Sequence, residues 1–321
     1  MLINGSRSLK FILKLAIILL GIIAFPHLNG KANAVQDQSD PNPTIQLATV
    51  ATKPLKTSSY LMLDVQSRQE LLAQDEEVRR APASTVKLLT GIVAMEKLQE
   101  QDEIQVGEEV LNIEGSKIGL QPGDRILVEE LLTAVYLESA NDAATVLAVA
   151  ASGSLEEFIK AMNESAQKMG LTDSQFKTPH GLPSPDQYTT ARDLTEIALT
   201  FIQREELMKY VRKKEGTVDW TRANGFKLSI PVKNTNQLLS IYPGDSGLKT
   251  GTTTEAGQCL VTYITRPDGD ILLTLLGSKQ RYVETIDLLD QGISEIRTRS
   301  ALKEITSHPD SLITAPGFFT P

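Results

Sequence analysis

Ser84 and Lys87 stand three residues apart where a helical pattern begins, a spacing that puts two side chains on one helix face, one turn apart. A serine hydroxyl is a poor nucleophile until a base takes its proton. A lysine is such a base only where its surroundings hold it neutral. A helix N-terminus adds free backbone N–H groups, which suit a developing oxyanion. The plainer alternative makes Ser84 an N-cap and Lys87 a solvated first-turn residue. Two more short patterns stand further along the chain. Ser139-Ala140-Asn141 comes after a helical segment, and its plainer role is to cap the helix expected near Asp142. Lys249-Thr250-Gly251 precedes a strand expected from about Gly257, and by itself reads as a turn. The three histidines, His27, His180 and His308, are far apart, so a His-rich metal site is not expected. A Ser-His-Asp esterase would in addition require G-x-S-x-G, whereas Ser84 sits in Ala-Ser-Thr. The single cysteine, Cys259, allows neither an intramolecular disulfide nor a Cys-based metal cluster, and it reads as a small core residue. No metal and no cofactor is expected.

The elements that must position these residues are legible in outline. Tyr60–Val65 and Glu70–Ala73 flank a polar turn and predict a β-hairpin. Leu88, Ile92, Met95 and Leu98, with Val86, Leu89 and Val93, recur at three and four and predict a largely buried helix over 84–98. Helices are also expected over 128–138, 142–151, 155–169 and 191–202, the last capped by Thr189 or Thr190, and Pro122-Gly123-Asp124 is a turn. Strands over 257–264 and 271–276 bracket Pro267-Asp268-Gly269, and an amphipathic helix is expected over 281–296. Strands, then a helical middle, then strands again predict an α+β fold. Its antiparallel sheet draws on both chain ends, with a helical subdomain inserted.

The 321 residues carry 41% hydrophobic and 22% charged side chains, ordinary for a globular protein. The formal net charge of −8 argues against a nucleic-acid surface. Arg7, Lys10 and Lys14 precede the apolar run Leu15–Phe25, and Ala32-Asn33-Ala34 supplies a small-x-small cleavage pattern. That run is too short to span a bilayer, which takes about 20 residues. The expected organisation is a signal peptide over 1–34, a linker over 35–52, a catalytic domain over 53–300 and a tail over 301–321. A secreted or periplasmic chain results, without a permanent membrane anchor once the signal is cleaved; an uncleaved anchor is the alternative. With one thiol, such a chain is held by its core rather than by disulfides.

In this order, S-x-x-K, S-x-N and K-T-G form the active-serine signature of penicillin-binding proteins and serine β-lactamases. The chain resembles the low-molecular-mass penicillin-binding proteins, the D-alanyl-D-alanine carboxypeptidase family. Ala83–Thr90, Ser139–Ala143, Phe176–Leu182, Thr190–Leu194 and Gly244–Gly251 look like that family's blocks, and the resemblance covers roughly Ser58 to Arg297. It implies a β-lactamase/transpeptidase-like fold and an enzyme acting on peptidoglycan stem peptides, with β-lactams as covalent inhibitors. Ser84 would be the nucleophile, Lys87 its base, Ser139 a proton relay to the leaving amine, and Asn141 a holder of the substrate amide. Backbone N–H groups of Ser84 and Thr252 would form the oxyanion hole. Lys249, Thr250 and the strand edge at Gly251 would face the terminal D-alanine, with Arg281 near its carboxylate. The plainer role for Arg281 is a surface residue at a helix start. His180 is left out of the site, and Trp220 and Tyr242 are aromatic candidates for the cleft.

Departures are expected to matter. Ala140 stands where the family usually has glycine, so a methyl group is expected to trim the cleft. Thr252-Thr253 follows the K-T-G, where the family often has His-Thr. With little sequence after Arg297, the family's C-terminal β-domain and amphipathic membrane helix are expected to be missing. A D,D-endopeptidase that cuts cross-links remains the alternative, since it too breaks the bond after a D-alanine carbonyl. A class A β-lactamase would need E-x-x-L-N after S-x-N, and Glu108-Glu109-Val110-Leu111-Asn112 falls before it in the chain. A non-catalytic β-lactam or peptidoglycan binder would have no need of the intact nucleophile-side residues.

Overall fold

A computed structural model describes residues 58–307 apart from position 268. The expected signal, linker and tail therefore lie wholly or largely outside the described residues. Strands β1 (Ser59–Asp64) and β2 (Glu70–Gln74) form the expected hairpin, and short strands β3 (Glu103–Gln105) and β4 (Arg125–Leu127) come next. Strands β5 (Glu215–Thr221), β6 (Lys227–Lys233), β7 (Asp245–Thr253), β8 (Gly257–Ile264) and β9 (Ile271–Ser278) complete the set. The main sheet has the order β2-β1-β9-β8-β7, antiparallel throughout. Its strands thus come from opposite ends of the described chain, with the helices between.

Alternation explains why the main sheet is covered on both faces. Along β1, Leu61 and Leu63 enter the larger core beneath the helical insertion, while Tyr60 and Met62 enter a smaller one. Along β9, Leu272 and Leu276 face the first core, and Ile271, Leu273 and Leu275 the second. A strand buried on both faces reads as a continuous apolar run, as these do. Fully burying each such side chain contributes about 1.5–3 kcal/mol.

Helices α1 (Lys87–Ala94), α2 (Val128–Thr133), α3 (Asn141–Ser152), α4 (Leu155–Lys168) and α5 (Ala191–Ile202) build the insertion, with α6 (Glu205–Val211) and the one-turn α7 (Leu238–Ile241) leading to β7. Thr190 caps α5, its hydroxyl accepting from the Asp193 N–H at 2.9 Å. The terminal helix α8 (Arg281–Ser307) runs past the expected end at 296 and lays Leu288, Leu289, Ile293 and Ile296 on the smaller core.

The structure differs from the sequence expectation in three places. The helix over 84–98 is a 3₁₀ turn, Ala83–Val86, continued by α1, which stops at Ala94. Ala83 is held at φ 48° at the head of that turn, so a regular helix begins only after the serine. The helix over 128–138 changes to a π turn at Ala134–Glu138. The second sheet, β3-β4-β5-β6, was not expected. Its first two strands have three residues each, and β5 and β6 bury little beyond Val218, Trp220 and Val232. Among the described residues no helix is long and apolar enough to cross a membrane.

Candidate active site

Ser84 lies on the 3₁₀ turn and Lys87 opens α1, so the turn swings both side chains toward α3 and the edge strand β7. The Lys87 ammonium nitrogen is 2.9 Å from Ser84 Oγ, 2.7 Å from Asn141 Oδ1 and 2.8 Å from the His180 carbonyl. Ser84 Oγ donates to the same carbonyl at 3.3 Å. Lys87 is fully buried. Burial pushes its pKa well below the ordinary lysine value, the charge of Lys249 pushes it further, and Asp142 opposes both. Burial thus makes the ammonium easier to deprotonate, and its nitrogen stands within hydrogen-bond distance of Ser84 Oγ.

Asn141 is fixed from its other side. Its Nδ2 donates to the Glu114 carbonyl and its backbone N–H to the Ser116 carbonyl, both at 2.7 Å. Ser139 comes directly after the π turn with φ 60°, and its hydroxyl has no hydrogen-bond partner among the described residues. Isolated π turns are frequent at functional sites because the extra residue shifts the register of the chain beyond it. The capping expected of Ser139 and Asn141 is not what they do: Ala140 occupies the N-cap and makes no side-chain cap bond. Nor does Ala140 trim the cleft, because its methyl group is fully buried in the larger core.

Lys249-Thr250-Gly251 is part of β7 itself, neither a turn nor a lead-in to the strand at Gly257. The strand can approach the serine because position 251 has no side chain. A Cβ there would sit 2.7 Å from the Ser84 nitrogen, and a Cβ at Gly181 would sit 1.9 Å from the Ala83 carbonyl oxygen. Lys249 is buried, donates to the Thr250 carbonyl at 2.9 Å, and has its pKa brought down to about 7 by burial and then by Arg281. Arg281 is not a free surface residue. It donates to the carbonyls of Gly251 at 3.0 Å and Cys259 at 2.9 Å, and its other terminal nitrogen bonds the Thr252 hydroxyl. The structure thus brings Ser84, Lys87 and Asn141 into direct contact, and sets Gly251, Thr252 and Arg281 around the edge of β7.

Two contributors escaped the sequence reading. The His180 main-chain carbonyl touches both Ser84 and Lys87, a role that no side-chain pattern reveals. The imidazole itself is buried, accepts from the Leu182 N–H at 3.2 Å and has its pKa pushed down to about 3 by burial and by Lys87. It stays neutral and outside the reacting group. The second is Thr235, whose hydroxyl lies 2.7 Å from that of Thr250. The alternation Asn234-Thr235-Asn236 just ahead of β7 was the available signal.

Other candidates sit elsewhere. Trp220 donates to Asp124 at 3.1 Å in the second sheet, and Tyr242 donates to Asp290 at 2.8 Å beside α8. Glu108, the glutamate of the E-x-x-L-N pattern, is exposed on a short 3₁₀ turn over Glu108–Val110. Cys259 is buried, its thiol pushed up to about 11 by burial. A concavity of about 780 Å³ lies away from the motifs, between the turns after β1 and β8 and the end of α8, and carries none of the residues above. Geometry and chemistry, rather than cavity size, locate the site.

The chain is 31% identical over 256 residues to the D-alanyl-D-alanine carboxypeptidase DacF of Bacillus subtilis, covering 77% of this chain and 65% of that protein. It is 32% identical over 270 residues to DacC of Escherichia coli, covering 79% of this chain and 66% of that one. It therefore spans slightly under two thirds of these relatives' length. The crystal structure of a Streptomyces DD-transpeptidase superposes with a TM-score of 0.72 at 28% identity, over 76% of this chain and 99% of that one. That of DacD from Francisella tularensis gives 0.69 at 26% identity, over 83% and 76%. Residues 46–280 match the peptidase family described as D-alanyl-D-alanine carboxypeptidase, and the chain belongs to that family.

Proposed function

We propose that the protein is a serine D-alanyl-D-alanine carboxypeptidase that trims peptidoglycan stem peptides through an acyl-enzyme on Ser84. The observation that carries this reading is the 2.9 Å contact between a buried, pKa-lowered Lys87 and the Ser84 hydroxyl. Neutral Lys87 takes the Ser84 proton as Oγ attacks the carbonyl of the penultimate D-alanine. The resulting oxyanion would be received by the backbone N–H groups of Ser84 and Thr252, fixed donors of the kind that stabilise developing charge. The C–N bond then breaks, the terminal D-alanine leaves as an amine, and the proton reaches it by way of Ser139. Water, deprotonated by Lys87, attacks the ester and returns the serine. Asn141 holds the peptide amide, while Lys249, Thr250 and Arg281 hold the terminal carboxylate.

Residues 1–34 would direct export, so that the domain works outside the cytoplasm. β-Lactams would acylate the same serine. The deciding experiment incubates the protein with isolated muropeptides and follows their masses. Loss of one alanine from pentapeptides is expected; conversion of cross-linked dimers to monomers instead would make it an endopeptidase, and no change in either would remove the peptidase reading.

A further inference from the structure

The turn between β6 and β7 is braced far more heavily than a connecting loop requires. Asn234 is buried and donates through Nδ2 to the carbonyls of Val211 at 3.2 Å and Lys213 at 2.8 Å. Its Oδ1 accepts from the Asn236 N–H at 2.8 Å. Asn236, also buried, accepts from the Leu238 N–H at 3.1 Å and donates to the Asp245 carboxylate at 3.1 Å. From the opposite side the Tyr282 hydroxyl donates to the Thr235 carbonyl at 2.8 Å and accepts from the Gln237 N–H at 3.2 Å. The Thr235 N–H is bonded to the Leu137 carbonyl, at 3.1 Å, within the π turn that precedes Ser139. Thr235 itself is exposed, and its hydroxyl meets that of Thr250 at 2.7 Å.

A hydroxyl has one proton to donate. For Thr250 to donate to a substrate carboxylate, it must accept from Thr235. The bracing fixes Thr235 where it can donate in that sense, so that the Thr250 proton is left for the cleft. We propose that Thr235 is a positioning residue that orients the Thr250 hydroxyl toward the terminal carboxylate of the substrate, and so favours substrates that end in a free carboxylate. The inference rests on the carboxypeptidase reading above and adds to it a residue outside the three motifs.

Thr235→Val keeps the shape and removes the hydroxyl, and Thr235→Ser restores it. The measurement is kcat/KM for a D-alanyl-D-alanine peptide and for the same peptide amidated at its C-terminus. The same comparison is made in acylation rate with benzylpenicillin and its methyl ester. Thr235→Val should lower the ratio of free to blocked probe by about 3- to 10-fold, the worth of one neutral hydrogen bond. Thr235→Ser should return it to the wild-type ratio. A mere structural role would slow both probes alike and lower the melting temperature, leaving the ratio unchanged. An unchanged ratio in Thr235→Val, or a lowered ratio that serine does not restore, overturns the proposal. A wild-type protein that cleaves neither peptide and is acylated by neither β-lactam removes the peptidase reading and this inference together.

Discussion

The two faces of the main sheet use burial for opposite ends. Beneath α8, Tyr60, Met62, Leu273, Leu275, Leu288 and Leu289 pack with one another, and burial there yields stability alone. On the other face the large core also encloses Lys87 and, beside it, Lys249, each with its pKa lowered by burial. A buried ammonium costs stability, and groups perturbed in this way are what a reactive site requires. The comparison implies that activity and stability can be damaged separately, each from its own face.

The largest effect tests the nucleophile. Ser84→Ala should lower peptide hydrolysis on the order of 10⁶-fold, the scale seen when a serine nucleophile is removed elsewhere. It should also abolish labelling by a fluorescent penicillin, and a persistent adduct mapped outside the Ser84 peptide would displace the assignment. Lys87→Met comes next, with a loss of about 100- to 10,000-fold, as for a positioned base. An apolar residue removes the cost of a buried amine but leaves the Asn141 and His180 oxygens without that donor, so the variant's melting temperature should change little. An unfolded Lys87→Met would erase the contrast between the faces.

Lys249→Ala should slow a peptide with a free terminal carboxylate about 10- to 150-fold more than its amidated partner, since each charge-assisted bond contributes about 1.5–3 kcal/mol. Arg281→Ala, measured in the same way, reports the other half of that pocket. Equal slowing of both peptides would move Lys249 out of the carboxylate site. The pH dependence sharpens this. Lys249 has its pKa lowered to about 7, so its charge is present below that pH and lost as pH rises through it. KM for the free-carboxylate peptide should climb across that range while KM for the amidated one stays flat. Lys87 acts in the opposite sense, turnover of both peptides rising as it gives up its proton. Parallel KM curves for the two peptides would count against Lys249 as the carboxylate's partner.

The smallest effect on catalysis is expected on the other face. Leu289→Ala should cost about 2–5 kcal/mol of stability. The protein that remains folded should turn over at the wild-type rate, and a fall in its kcat would show that the two faces are coupled.

The cluster of Ser84, Lys87 and Asn141 was legible because its residue types and spacing form a recognisable pattern, wherever the chain places them. The main sheet was legible because two-sided burial leaves β1, β8 and β9 almost wholly apolar. The second sheet was not read, since β3 and β4 are too short to show a period, although the alternation of Glu215, Thr217 and Asp219 with Val218 and Trp220 in β5 was an available strand signal. Main-chain contributors were invisible for a different reason: the His180 carbonyl and the close passes at Gly181 and Gly251 depend on backbone path. Lys249-Thr250-Gly251 looked like a turn because a lysine, a threonine and a glycine carry no strand signal, yet the bulge at Asp245–Leu248 delivers them into an edge strand.

Strand β1 also has a kinetic consequence. It lies between β2 and β9, and the Ser58 hydroxyl at its head bonds Glu284 across 226 residues of chain. Bringing such distant segments together loses chain entropy before any contact rewards it, so folding dominated by these pairings is slow. Among the described strands, β1 has no partner besides β2 until β9, near the end of the domain, has been made. A chain threaded through a membrane pore from its N-terminus would thus remain loose and passable for most of its transit, then lock once its last strand is through.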